Sequence, residues 1–464
     1  MGPLAGFTIL DLTSVLMGPY GTQVLADMGA DVIKVESPEG DIVRQIGPGR
    51  TPGMGGMFLN ANRGKRSIAL DLKKAEGRDT LLRLAKHANA LVYNVRPQAM
   101  ARLGLDYETL REINPALVYV GAFGYGQSGP YAAKPAYDDL IQGAATIPTL
   151  LAAAGDGTPR YVPVTIADRI VGLMLVNAIM GGLMHQSRTG VGQRIDVPMF
   201  ESMTEFVLVD HLGGLTYDPP LDHGGYARLL SRYRRPYKTS DGYLCVLIYN
   251  DKHWRSFFEA IGQPHFLDQP RFANHAARTK HIDEIYEEIG HIFLTRTTAE
   301  WRDLLERADI PVMPMHTLET ILEDPHLNAI DFFRTVDHPV EGRIRQMRVP
   351  STWSVTQPEP AGPRTNARPA WPRHFARGRL LNRGNRTARR ARSSSPGRAA
   401  LTAALARIAA IQGGNRDGRT LFRGLFRGPG VQASADPDRH GDGQHHVQPA
   451  DAQPAAAAYR RAFR

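Results

Sequence analysis

Alternation of short apolar runs with amphipathic stretches over the first two hundred residues predicts an α/β fold, an open parallel sheet covered by helices, followed by a smaller α+β unit. Three observations carry this expectation. FTILDLT (residues 7–13), the helical pattern TQVLADMGA and DVIKVE have the spacing of a parallel crossover unit. The alternation then repeats to residue 199. Near Asp241 and Gly242 the pattern changes to that of a hairpin, flanked by RRPYKT and GYLCVLIY.

Taken in order, the first strand is followed by Gly18, Pro19, Tyr20 and Gly21, then helix and strand. SIALDL, the helix KAEGRDTLLRLAKHA and the strand NALVYNV follow. Two short helices around RLGLDYETLREINP lead to the strand ALVYVGAF. Ligands of such a sheet bind beyond the carboxyl ends of its strands. The large domain is expected over residues 1–215, a small α+β domain over 226–328, and strands returning to the large domain over 329–360. In the small domain, helices HWRSFFEAIG, KHIDEIYEEIGHIFLTR and TAEWRDLLERADI precede the short strand PVMPMHT.

Residues 361–464 differ in kind: they carry 20 Arg, no Lys, 5 Asp and no Glu, a net of +15, which leaves −5 for residues 1–360. The overall charge of +10 therefore says nothing about the chemistry of the body. Such a tail buries too little apolar surface to offset chain ordering, so it is expected to be disordered. Its loss of Lys and Glu also fits GC-rich coding sequence read out of frame. MGPLAGFTILDL shows neither a basic n-region nor a cleavage pattern, and Cys245 stands alone, so the cytoplasm is expected and no disulfide or cysteine-based metal site. The apolar run of residues 171–184 is short for a membrane span and contains Asn177, as in a core helix.

The loop after the first strand lacks a dinucleotide glycine pattern. GYGQSG at residues 124–129 matches literally but precedes Pro130 and opens no helix, so it reads as a loop beside a site. No Walker loop, nucleophile elbow or clustered His and carboxylate metal set occurs. What remains is Asp168, in YVPVTIADRIVGLMLVNAIMGGLMHQ, at the start of an apolar helix. Spacing alone leaves two readings open, a helix cap and a nucleophile kept ionised by the helix start.

PLAGFTILDLTSVLMGPYGTQVLADMGADVIKVE, NRGKRSIALDLK, RLGLDYETLREINPALVYVGAFGYGQSGPYAAKPAYD, RTGVGQRIDVPMFES and EDPHLNAIDFF occur in this order within residues 3–360. Together they resemble the class III CoA-transferases, which include formyl-CoA and carnitine-CoA transferases. The resemblance implies a Rossmann-like CoA-binding large domain, a small domain and two ring-shaped subunits interlocked as a homodimer. It implies coenzyme A or acyl-CoA and a small carboxylic acid as substrates, and the residues read above add no expectation of a metal, a membrane or a specific nucleic-acid partner. It matches the catalytic aspartate to Asp168 and CoA contacts to Val15, Leu70, Lys73, Asn94, Val95, Arg102 and Tyr137. Lys134 lies one position from the family's usual basic residue, and Arg44 is a further phosphate candidate. A carboxylate can form a mixed anhydride, then an enzyme-bound thioester, and be regenerated, which is what CoA exchange requires.

Departures narrow the reading. Formyl-CoA transferase has His and Gln where this chain has Ser14 and Leu16, and its glycine-rich loop has no counterpart between residues 226 and 242. A larger acyl group than oxalate or formate is therefore expected, a dicarboxylate or a branched or aromatic acid, with Arg232, Arg234 and Arg235 as partners for a substrate carboxylate. The rival activity is α-methylacyl-CoA racemisation, which needs a second acid/base. Racemases of the family carry His where this chain has Tyr137, a poor base near neutral pH, so transfer is favoured. A third reading is an inactive CoA-binding or nucleic-acid-binding protein working through its basic tail.

Overall fold

Six short strands form one parallel sheet: β1 (Thr8–Leu12), β2 (Asp31–Glu36), β3 (Arg66–Ala69), β4 (Ala90–Tyr93), β5 (Val118–Phe123) and β6 (Arg194–Pro198). The structure, a computed structural model, describes residues 2–360. The tail of residues 361–464, expected to be disordered or out of frame, lies outside the described residues. The first five strands fall on the runs named above, β6 lies in the motif RTGVGQRIDVPMFES, and their order is β3-β2-β1-β4-β5-β6. Ile9 of β1 pairs with Val32 on one side and Ala90 on the other, so the chain winds outward from β1 to β3 and restarts beside β1 at β4. The loops leaving β1 and β4 then diverge, which opens a crevice at their carboxyl ends.

Helices α1 (Met17–Asp27), α2 (Gly56–Asn62), α3 (Ala75–Ala85), α4 (Pro97–Arg102) and α5 (Tyr107–Ile113) lie between the strands up to β5. Between β5 and β6 come α6 (Asp138–Ala144), α7 (Ile147–Ala154) and α8 (Ile166–Thr189), and α9 (Met199–His211) follows β6. Both faces of the sheet are covered, which is why its strands read as continuous apolar runs. Ile9, Val32 and Val120 pack with Leu25 of α1 and Leu175 and Ile179 of α8. Leu10, Ile33 and Leu91 face the other way, toward Leu81 of α3 and Leu110 of α5. Each such fully buried side chain contributes about 1.5–3 kcal/mol.

Helix α8 is long and apolar enough to cross a membrane, yet Val171, Leu175, Ile179 and Leu183 are buried in the core, as expected of a core helix. It packs against α1 at a contact that requires glycine on both sides. A Cβ on Gly21 would lie 2.8 Å from the Gly172 carbonyl oxygen, and one on Gly172 would lie 2.9 Å from that of Met17. This close approach brings the start of α8 beside the start of α1.

A separate aromatic core, including Trp254, Phe257, Phe258, Phe293 and Trp301, forms farther along the chain. It joins helices Asp251–Ala260, Ile282–Phe293 and Thr298–Arg307 to an antiparallel sheet of Tyr237–Lys238, Tyr243–Val246 and Val312–Pro314. Asp241 and Gly242 make the turn of its hairpin, where Tyr237 pairs with Leu244. The hairpin Phe333–His338 and Gly342–Met347 bonds back to the first part of the chain. Glu341 Oε2 accepts the Arg50 N–H at 2.8 Å, and Arg63 donates to the Met347 carbonyl at 2.9 Å.

Candidate active site

The turn after β1 is held by side chains from four places in the sequence. The Thr13 N–H donates to Asp11 Oδ1 at 3.0 Å, and Lys34 Nζ donates to the Thr13 carbonyl at 3.0 Å. Ser14 exchanges two bonds with the Asn94 side chain beyond β4, its N–H donating at 3.0 Å and its carbonyl accepting at 2.8 Å. The Val15 N–H donates to Asp41 Oδ1 at 3.1 Å. Val15 has φ of 69°, a left-handed conformation that a β-branched residue adopts only when its surroundings impose it, at about 1–3 kcal/mol.

Under this turn lies a buried charge network. Asp11 and Lys65 are both fully buried and pair at 3.0 Å, and Lys34 pairs with Asp41 at 2.9 Å. Burial works against the charge of Asp11, but Lys65 and Lys34, with bonds from Thr13 and Thr22, outweigh it and hold the carboxyl below the usual range. Burial pushes Lys65 down to about 8 against the pull of Asp11.

Two cavities open along the crevice. One, of about 340 Å³, is lined by Ser14, Val15, Asn94, Lys134, Tyr137 and Asp168 among others. The other, of about 520 Å³, includes Leu70 and Lys73 and shares Ser14 and Val95 with the first. The two are thus neighbouring parts of one groove across the switch in strand order. Gly124 and Gln127 of the glycine-containing loop also line the first cavity, and the Gly126 N–H is fixed by Glu201 Oε1 at 2.8 Å.

The structure brings most of the residues singled out above to this groove, with exceptions. Arg102, at the exposed end of α4, lines neither cavity. Arg44 is engaged elsewhere: its guanidinium bonds both Glu36 oxygens, at 2.7 and 2.6 Å, and lies over the Phe58 ring. Arg232 and Arg235, but not Arg234, line a third cavity of about 740 Å³ with Arg160 and the Tyr161, Val162 and Pro163 segment that leads into α8. Among the described residues, no group of three or more His, Cys, Asp or Glu is arranged to hold a metal ion.

The capping reading of Asp168 is corrected by the geometry. Helix α8 begins at Ile166 after Thr165, so Asp168 is its third residue, and no side chain of the helix start closes a capping bond. The Asp168 N–H is instead accepted by Asp138 Oδ1 of α6 at 3.0 Å. The cap is thus supplied by another helix, and the Asp168 carboxylate is left facing the cavity. Gln142 donates to the other Asp138 oxygen at 2.6 Å and accepts the Val162 N–H at 2.9 Å, tying α6 to the segment before α8. Sequence reasoning missed this role. Its only local trace is the spacing of Asp138 and Gln142, four apart on one helix face.

Asp168 is half-buried. Burial first, and the neighbouring charge of Asp138 second, push its carboxyl up to about 7, against the pull of Arg169, whose guanidinium lies 4.5 Å from the Tyr20 ring centre. A carboxylate in that state is poised between acid and nucleophile near neutral pH.

A doubly wound sheet with a carboxylate of raised pKa beside cavities at the switch in strand order is the arrangement of an α/β enzyme. The chain belongs to CoA-transferase family III, which it matches over residues 4–370, and is a class III acyl-CoA:carboxylate CoA-transferase. It is 36% identical over 340 residues to a succinate–glutarate CoA-transferase of Agrobacterium fabrum, covering 70% of this chain and 83% of that protein. It is 35% identical over 324 residues to an acetyl-CoA:oxalate CoA-transferase of Acetobacter aceti, covering 68% and 81%. Among solved structures, a CaiB/BaiF family protein of Brucella suis aligns with a TM-score of 0.64 and 31% identity, over 78% of this chain and 95% of that one.

Proposed function

We propose that this enzyme moves CoA from an acyl-CoA to a free dicarboxylic acid, with Asp168 as the nucleophile. The observation that carries the reading is the free Asp168 carboxylate facing a groove that continues to Lys73. The carboxylate attacks the thioester carbonyl and expels CoA thiolate, giving a mixed anhydride. The thiolate then attacks the aspartyl carbonyl, releasing the first acid and leaving an aspartyl-CoA thioester. The acceptor carboxylate forms a second anhydride and frees the thiolate, which takes the new acyl group and regenerates Asp168. Every step passes through a tetrahedral oxyanion, for which backbone donors at a helix start are suited stabilisers.

In this reading CoA lies along the two cavities, with Lys73 at its phosphates, Leu70 and Val95 against its apolar parts and Asn94 fixing the turn at the thioester end. Lys134 and Tyr137 border the acyl end, while Arg102 holds no place in it. The dicarboxylate preference is supported by Arg160, Arg232 and Arg235 beside the segment leading to Asp168, and by relatives whose names pair succinyl groups with glutarate or mesaconate. The exposed apolar residues Leu173 and Met184 on α8 and Phe206 and Val209 on α9 support a homodimer, since such side chains are ordinarily covered in oligomers.

The test is incubation with succinyl-CoA followed by mass spectrometry of the Asp168 peptide, and an exchange assay against a panel of mono- and dicarboxylic acids. A CoA or acyl adduct on Asp168, with exchange fastest for dicarboxylates, is the expected result. Deuterium uptake at the α-carbon without exchange would assign racemisation instead.

A further inference from the structure

We propose that the buried Lys34 and Asp41 pair is a positioning device for transfer, holding the turn of residues 14–16 in the conformation that faces Asp168. The inference rests on Asp168 being the nucleophile. Lys34 is 1% exposed and its ammonium divides its bonds between Asp41 and the Thr13 carbonyl. Asp41 Oδ2 takes the ammonium, while Oδ1 accepts the N–H groups of Val15, at 3.1 Å, and Val43, at 3.2 Å. The pair therefore holds the backbone on either side of Ser14, at the Thr13 carbonyl and the Val15 N–H, while Asn94 holds Ser14 itself. Val15, Leu16 and Met17, which follow from this grip, line the cavity that holds Asp168.

A purely structural ion pair would not need to bond the one non-glycine residue of this turn with a positive φ. Without the Asp41 acceptor, Val15 returns to the extended or right-handed region, and the start of α1 moves relative to Asp168. A displacement of about 1 Å in such a site costs about 100-fold in rate. Lys34 and Asp41 also border the cavity assigned to CoA, but both are buried and already paired with each other, so CoA binding is expected to suffer much less.

The experiment compares two paired substitutions that both remove the buried charges. Lys34→Met with Asp41→Asn keeps an acceptor for the Val15 N–H, and Lys34→Met with Asp41→Ala does not. Steady-state transfer is measured with succinyl-CoA and the best acid of the panel, together with the single-turnover rate of adduct formation on Asp168. The alanine pair is expected to lose about 100-fold in kcat and in adduct rate, with KM for succinyl-CoA nearly unchanged and the asparagine pair at least about tenfold faster. Adding Val15→Gly to the alanine pair is expected to recover part of the loss, because glycine adopts the positive φ without being held there.

Equal kcat for the two pairs, a loss confined to KM, or no recovery with Val15→Gly overturns the proposal. If melting shows that the alanine pair does not fold, the asparagine pair decides: a kcat loss of up to about tenfold that Val15→Gly partly recovers supports the proposal, and no loss, a larger loss or no recovery overturns it. Absence of an adduct in the unsubstituted enzyme is a different failure, which removes the nucleophile reading and this inference with it.

Discussion

The raised pKa of Asp168 couples catalysis to stability, and Asp168→Asn separates the two. The carboxyl moves from an ordinary 3.8 to about 7 in the folded chain, because burial and the charge of Asp138 disfavour its anion. A group whose folded pKa is raised contributes stability that is fully present below about pH 4 and is lost as pH rises toward 7. About three units at 1.36 kcal/mol each give about 4 kcal/mol. Asp168 faces an open cavity, so solvent screening reduces the expected effect to about 2 kcal/mol. Asparagine does not titrate. The stability of Asp168→Asn relative to the unsubstituted enzyme should therefore rise by about 2 kcal/mol between pH 4.5 and pH 8, most steeply below 7. Thermal or urea unfolding of both proteins over this range measures it. The constant offset between them carries no information, whereas a difference that is flat with pH would refute the reasoning. In parallel, with Asp168 as the proposed nucleophile, kcat/KM should fall about tenfold per pH unit below about 7, because only an ionised carboxylate can attack. Asp138→Asn removes the like charge and should shift that midpoint to lower pH. A midpoint near 4 in the unsubstituted enzyme would show that the site does not hold Asp168 as described.

Lys65→Met leaves the fully buried Asp11 carboxylate without its nearest cation, and should destabilise the fold by about 3 kcal/mol, read by urea unfolding at pH 7. Lys73→Ala should raise KM for succinyl-CoA about tenfold with kcat little changed, as expected for loss of one charge-assisted phosphate contact. Dephospho-CoA thioesters, compared with the full substrates, show whether that contact is to the terminal phosphate.

Much of this protein was legible in the sequence because its sheet is covered on both faces. Runs such as ALVYVGAF are apolar throughout, so strands were visible even without alternation, and the helical periodicity between them implied parallel crossovers. Asp168 stood out as a lone carboxylate before a long apolar stretch, and the motifs around it carried the resemblance to CoA-transferases. The hairpin at Asp241 and Gly242 was visible in its turn chemistry.

The roles of Asp138, Asp41 and Lys34 were not legible, because each acts across a distance that local pattern does not encode. Asp138 is 30 residues from the amide that it caps, and Asp41 is 26 residues from Val15. Arg44 illustrates the reverse error, since a basic residue suited to phosphate is already committed to Glu36. Local composition determined which segments form strands and helices, while Asp168 was singled out as the candidate nucleophile by the family motifs around it and not by composition or spacing. Only the tertiary structure decided that this carboxylate is released from capping, raised in pKa and turned toward the groove, because these properties depend on burial and on charges that meet only when the sheet and its helices pack together.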